Sequence, residues 1–254
     1  MPYNRDLFYR IYDEGEQPLS SCPLVLLHGS GGSHMAWPVD MRRLISRRVI
    51  ALDLPGHGKS AGTACQRLPT LVQSLRRFLD SLHVYQADLA GHSLGALLAL
   101  DYAQAFPKRV RSLFLLSCGS HFNVPAELFD SLLCPNHKNR FIEDFSRMAF
   151  SRYFPESQRR KLLAPLSQVR TSTLLADLSI CAEYRLNGNF HKIACPTRLV
   201  NGSDDPITTP ASARELLHNL PQAELEILPK CGHLLLYEKT ALISKMMRGF
   251  FDTK

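Results

Sequence analysis

The amino-acid sequence predicts a doubly wound α/β fold: a mostly parallel sheet with extra helices inserted before its last two strands. Three observations predict it. Short apolar runs alternate along the chain with longer stretches of helical periodicity. Those runs are continuous, without polar alternation, as in strands covered on both faces. Residues 118–195 break the rhythm: they hold no good strand, yet carry Phe122, Phe129, Phe141, Phe145, Phe150 and Phe154.

Taken in order, Leu7, Tyr9 and Ile11 alternate with polar residues and read as an early antiparallel strand with one wet face. Strands follow at Pro23–Leu27, Arg48–Asp53, Gln86–Gly91, Val110–Ser117, Thr197–Val200 and Glu224–Leu228. Helices are expected at about 38–46, 70–82, 94–105, 211–219 and 236–251; Leu71, Leu75, Phe78, Leu79 and Leu82 show the helical spacing. The chain therefore divides into a core, 1–117 with 196–254, and a helical cap, 118–195. The cap is expected over the carboxyl edge of the sheet, where such folds bind ligands. Trp37, Phe122, Phe145 and Phe150 are the candidates to line an apolar pocket there, although aromatic stripes also pack helices together.

Composition narrows the classes. The chain has 254 residues, 45% hydrophobic and 21% charged, a globular balance rather than a disordered one. No apolar run approaches the ~20 residues of a membrane helix, and the first residues lack the apolar stretch of a secretory signal. Seven cysteines without a CxxC pair are expected as free thiols in a reducing cytoplasm. His233 stands two residues from Cys231, but no second ligand pair has zinc spacing, so no metal is expected. The net charge of +7 suits an acidic partner without making a nucleic-acid-binding patch.

The chemistry starts at Gly91-His92-Ser93-Leu94-Gly95, between a strand and a helix. Glycines two residues either side of a serine permit the sharp turn that lifts a hydroxyl off a sheet edge. A serine hydroxyl needs an adjacent base. His233, after the last strand, is best placed, and His57 in Pro55-Gly56-His57-Gly58 is the runner-up. The imidazole in turn needs an acid. Asp204 and Asp205 both follow the preceding strand, and Pro206 biases Asp205 towards an extended backbone. Oxyanion donors are expected from the Ser30 N–H, in His28-Gly29-Ser30-Gly31-Gly32, and from the Leu94 N–H. A phosphate loop is disfavoured, because no Lys-Ser/Thr follows at P-loop spacing.

In order, HGSGGSHMAW, ALDLPGHGKS, AGHSLGALLAL, NGSDDPITTP and CGHLLLYEK resemble five motifs of the α/β-hydrolase superfamily. The resemblance is to its small cytosolic esterases, C–C hydrolases and acyl-carrier-protein methyl ester esterases. It covers about 1–117 and 196–254, and the cap resembles nothing specific. It implies Ser93 as nucleophile, His233 as base, Asp205 rather than Asp204 as acid, and oxyanion donors at Ser30 and Leu94. Two departures stand out: Ala96 replaces the last glycine of GxSxGG, and Asp88 makes the strand before Ser93 unusually polar.

The expected function is hydrolysis of a carboxylic ester or thioester through an acyl-enzyme, with no cofactor. The alternatives are C–C bond hydrolysis of a diketone ring-fission product and a non-catalytic small-molecule receptor. The expected partner is a small acyl substrate. Residues 138–170 hold eight basic side chains against three acidic ones, so an acidic acyl carrier or coenzyme A thioester is a further candidate.

Overall fold

The computed structural model describes residues 3–4, 7–12, 22–44, 47–134 and 137–252. Its centre is an eight-stranded sheet: β1 (Tyr3–Asn4), β2 (Leu7–Tyr12), β3 (Leu24–Leu27), β4 (Val49–Leu52), β5 (Ala87–His92), β6 (Val110–Leu116), β7 (Thr197–Gly202) and β8 (Ala223–Leu228). The spatial order is β1-β2-β4-β3-β5-β6-β7-β8. β2 pairs antiparallel with both β1 and β4, and the pairs from β4 to β8 are parallel. The alternation expected of β2 is corrected: Leu7 and Phe8 are both buried, while Arg10 and Ile11, on opposite faces of the strand, are both exposed.

The continuous apolar strands are explained by cover on both faces. Val25, Leu27, Ile50 and Leu52 point into one core, with Leu71, Leu75 and Phe78 of α2 (Leu68–Ser81) and Leu97, Leu100 and Tyr102 of α3 (Leu94–Ala105). Their neighbours Leu24, Leu26, Val49 and Ala51 point into the other. There they meet Met41 of α1 (Val39–Arg42) and Ile243, Met247 and Phe251 of α10 (Thr240–Asp252). α8 (Pro210–His218) joins the first face through Leu216.

Between β6 and β7 lie α4 (Ala126–Leu133), α5 (His137–Ala149), α6 (Glu156–Leu163) and α7 (Thr171–Glu183). They build a third apolar cluster from Leu128, Leu132, Phe141, Phe150, Leu163, Leu166, Leu174 and Leu178, and Leu234 of the core joins it.

Two helix expectations are corrected, and the polar Asp88 finds its partners. The helix expected at 38–46 is only Val39–Arg42, because Arg43 leaves helical geometry; residues 45 and 46 lie outside the described ones. The helix expected at 236–251 is two, α9 (Leu235–Glu238) and α10, broken at Lys239. At that break the Glu238 carboxylate accepts from the N–H groups of Ser151 and Gly232, tying the turn to the inserted helices. Asp88, the polar residue within β5, is fully buried and is satisfied by Arg47, Arg111 and Ser112 at the amino edge of the sheet, away from Ser93.

Candidate active site

β3 is flanked by β4 on one side and β5 on the other, so the chain reverses its winding there. The loops beyond the carboxyl ends of β3 and β5 therefore bound the crevice where ligands bind in such sheets. Those loops carry Ser30 and Ser93.

Ser93 follows β5 with φ 54° and ψ −119°, a left-handed torsion uncommon for a side chain with a Cβ. The strain thus sits on the serine, and the flanking glycines serve a different purpose. A Cβ on Gly91 would lie 2.3 Å from the Gly95 carbonyl oxygen, and one on Gly95 would lie 2.1 Å from that of Leu27. Glycine at both positions lets α3 pack directly on β3 and β5.

His233 lies in the loop between β8 and α9. Its Nε2 is 2.9 Å from Ser93 Oγ, and its Nδ1 is 2.9 Å from Asp205 Oδ2. All three residues are buried. Asp205 sits just past β7, and its carboxylate is saturated: Oδ1 accepts the N–H groups of Ile207 at 2.8 Å and Thr208 at 3.0 Å, and Oδ2 also accepts the Thr208 hydroxyl. Burial works to raise the Asp205 pKa. The His233 charge and hydrogen bond, with the Thr208 donors, outweigh it, and the net shift is downward. Asp204 is exposed and accepts the Ser203 hydroxyl instead.

The His233 loop is pinned from below. Its carbonyl accepts the Ser117 hydroxyl at 2.6 Å and His92 Nε2–H at 3.0 Å. Burial, with the nearby His233 ring, pushes the His92 pKa down to about 3, so His92 serves as a neutral donor. Thr208 and Ser117 are not among the residues expected from the sequence; their short-range signals are a hydroxyl three residues after the acid and a serine directly after β6.

Ser30 occupies the second position of a turn closed by Gly32 N–H to the Gly29 carbonyl, with Gly31 at φ 64°. His28 braces that turn: Nδ1–H donates to the Gly29 carbonyl at 2.8 Å and Nε2 accepts the Leu54 N–H at 3.0 Å. Burial lowers the His28 pKa, in keeping with this neutral form. Among the described residues, the Ser30 N–H and the first helical N–H of α3, that of Leu94, have no protein partner.

The runner-up histidine, His57, has a carboxylate of its own. Its Nε2 is 2.8 Å from Asp177 Oδ2, on α7, so it is not beside Ser93 in the role of base.

Ser93, His233, Ser30, Trp37, Phe122 and Phe145 line one cavity of about 730 Å³. Leu128, Leu166 and Leu178 of the inserted helices form much of its roof. Phe150 is a correction: it stacks on Phe154, centroids 4.9 Å apart, and packs inside the inserted cluster rather than on the cavity. All seven cysteines are free. Among the described residues, no helix is long and apolar enough to cross a membrane.

Residues 24–244 match the model of a family described as the Alpha/beta hydrolase family. The chain is 32% identical to a dihydrolipoyllysine-residue acetyltransferase component of an acetoin cleaving system from Pseudomonas putida, over 90% of this chain and 63% of that one. This chain thus spans under two thirds of that relative's length. It is 30% identical to a 2-hydroxy-6-oxononadienedioate/2-hydroxy-6-oxononatrienedioate hydrolase from Paraburkholderia phymatum, over 89% of this chain and 86% of that one. Among solved structures, the enol-lactonase from Burkholderia xenovorans LB400 shares the fold, with TM-score 0.86, 20% identity, and coverage of 97% and 96% of the two chains.

Proposed function

The chain belongs to the alpha/beta hydrolase family, and from that premise we propose that it is a serine hydrolase of carboxylic esters or thioesters, with Ser93, His233 and Asp205 as its catalytic residues. One observation carries the reading: the two 2.9 Å contacts that join Ser93 Oγ, the His233 ring and the Asp205 carboxylate in line. In this reading His233 is neutral, with Nδ1–H donated to Asp205 and Nε2 open to the Ser93 proton.

Ser93 Oγ attacks the carbonyl carbon while His233 Nε2 takes its proton. The oxyanion receives the Ser30 and Leu94 N–H groups, and Asp205 stabilises the imidazolium. His233 returns the proton to the leaving alcohol or thiol. Water, deprotonated by His233, then attacks the acyl carbon, and His233 returns that proton to Ser93 Oγ as the Ser93–acyl bond breaks and the acid departs. The apolar roof and the Phe122 and Phe145 rings suit an acyl chain.

C–C bond hydrolysis is the second reading, favoured by the likeness to the dioate hydrolase. Against it, Arg170 on the cavity wall is committed to the Gly56 and Gly62 carbonyls rather than held for a substrate carboxylate. On the cavity wall the carrier reading points to Lys161, since Arg170 is committed. Arg140 and Arg147 pair with Asp144, Arg160 pairs with Glu156, and Arg159 and Lys138 bond backbone carbonyls. Lys161, on the cavity wall, has no such partner among the described residues and would face an acidic carrier or coenzyme A. The free thiols support a reducing, cytoplasmic setting.

A fluorophosphonate probe, run with a panel of p-nitrophenyl acyl esters, tests the proposal. Stoichiometric labelling of the wild type with none in Ser93→Ala is expected. Equal labelling of both would overturn the assignment of Ser93.

A further inference from the structure

His57 is buried in the loop after β4, and both of its ring nitrogens face acceptors. Nδ1 lies 3.1 Å from the Pro55 carbonyl, and Nε2 lies 2.8 Å from Asp177 Oδ2. Only an imidazolium, with two N–H groups, satisfies both. Asp177 comes from the other part of the molecule, the inserted helix α7, where it is a buried carboxylate among Leu174, Leu178 and Cys181. The same Oδ2 accepts the Gly31 N–H at 2.8 Å. Gly31 follows Ser30 in the turn that presents the proposed oxyanion donor. Leu166 and Leu174 of the inserted segment press on Gly31 so closely that a Cβ there would meet each at 2.7 Å.

We propose that Asp177 is a positioning residue: carried by the inserted helices and braced by His57, it holds the Gly29–Gly32 turn so that the Ser30 N–H points at the developing oxyanion. The site is then complete only while α7 is seated on the core. This inference rests on the reading of Ser93 as nucleophile and Ser30 as donor.

The charges around the pair fit such a clamp. His57 faces Asp177 from α7 and Asp53 from the end of β4, and the His28 ring lies with its centroid 4.9 Å away. Asp53 is itself occupied by His34 and the Lys59 N–H. Near Asp177, the Cys181 thiol is pushed up to about 12 by burial and by Asp177, and the Cys65 thiol is also raised, so both stay protonated at neutral pH. Burial works to lower the His57 pKa, but the charge and hydrogen bond of Asp177, with Pro55 and Asp53, outweigh it, and the net shift is upward. A raised pKa keeps the charged pair intact below the ordinary histidine value of about 6.5 and loses it as pH rises through the shifted value. The clamp therefore loosens on the alkaline side.

The test uses the full chain with a p-nitrophenyl ester, a trifluoromethyl ketone as oxyanion mimic, and fluorophosphonate labelling as the control on Ser93. Asp177→Ala is expected to lower kcat by about 100-fold, the scale of a misplaced oxyanion donor. KM should change less than about threefold, while ketone affinity falls by the same factor as kcat. His57→Gln is expected to lower kcat several-fold and to remove the alkaline loss of activity. If Asp177→Ala does not fold by circular dichroism, Asp177→Asn, which keeps the volume and one acceptor, is read instead. It should lower kcat about tenfold and also remove the alkaline loss. A variant that folds, labels at Ser93, and keeps kcat and ketone affinity within twofold overturns the role of Asp177. Failure of the wild type to label overturns the nucleophile assignment instead.

Discussion

His233 and His57 are both buried, and each has a carboxylate oxygen within hydrogen-bond distance, at 2.9 Å and 2.8 Å. They differ in what faces the second nitrogen. For His233 it is the Ser93 hydroxyl, which can donate, so Nε2 is placed to accept the serine proton. For His57 it is the Pro55 carbonyl, which can only accept, so the ring is best satisfied when charged. The same pair of side chains is thus a candidate base in one loop and a candidate clamp in the other. A histidine beside a carboxylate does not identify a catalytic base; the partner on its far side does.

The largest expected effect tests which histidine is the base. Ser93→Ala and His233→Ala should each lower kcat by roughly 10⁴–10⁶, and the double variant should be little worse, because such residues act as a unit. His57→Ala measured beside them should lose less than about 100-fold. A loss at His57 equal to that at His233 would erase the contrast.

The carboxylates come next. Asp205→Asn should lower kcat by up to about 10⁴, because the amide no longer fixes the tautomer or offsets the imidazolium charge. The same change at Asp177 is expected to cost far less, since it acts on the turn rather than on the proton.

Stability against pH separates the pairs more gently. The Asp205 pKa is lowered, so its contribution is present above the unfolded carboxylate value of about 3.9 and is lost as pH falls through the shifted one. The His57 pKa is raised, so its contribution is lost in the opposite direction, as pH rises above about 6.5. Thermal melts should therefore show an alkaline decline that Asp177→Asn flattens and Asp205→Asn leaves in place. The smallest effect is at Asp204: exposed and turned to Ser203, its change to Asn should alter kcat by less than twofold.

Much of this was legible in the residues. Leu24–Leu27 and Val49–Leu52 are continuous apolar runs because both of their faces are covered, and such runs read as parallel strands. Ser93 was visible because its two glycines stand where any Cβ would strike backbone. Other features were not. Phe150 looked like pocket lining because its ring is apolar, and periodicity does not tell a ring stacked on Phe154 from one facing a cavity. The break at Lys239 coincides with bonds between Glu238 and Ser151, residues far apart in the chain. Asp177 carried a faint signal, an acid among leucines on a buried helix face, but its partners are 120 and 146 positions away.

By itself, the sequence determined the order of strands and helices, the place of the inserted segment, and the turns that carry Ser30, Ser93, Asp205 and His233. Those features depend on periodicity, turn chemistry and close backbone approach, which act between near neighbours in the chain. Only the tertiary structure decided which histidine meets which carboxylate, which ring faces the cavity, and that an acid from the inserted helices holds the turn beside Ser30. Those outcomes depend on contacts between segments distant in the chain, where a hydrogen bond of 2.8 Å is set by the packing of whole elements rather than by local preference.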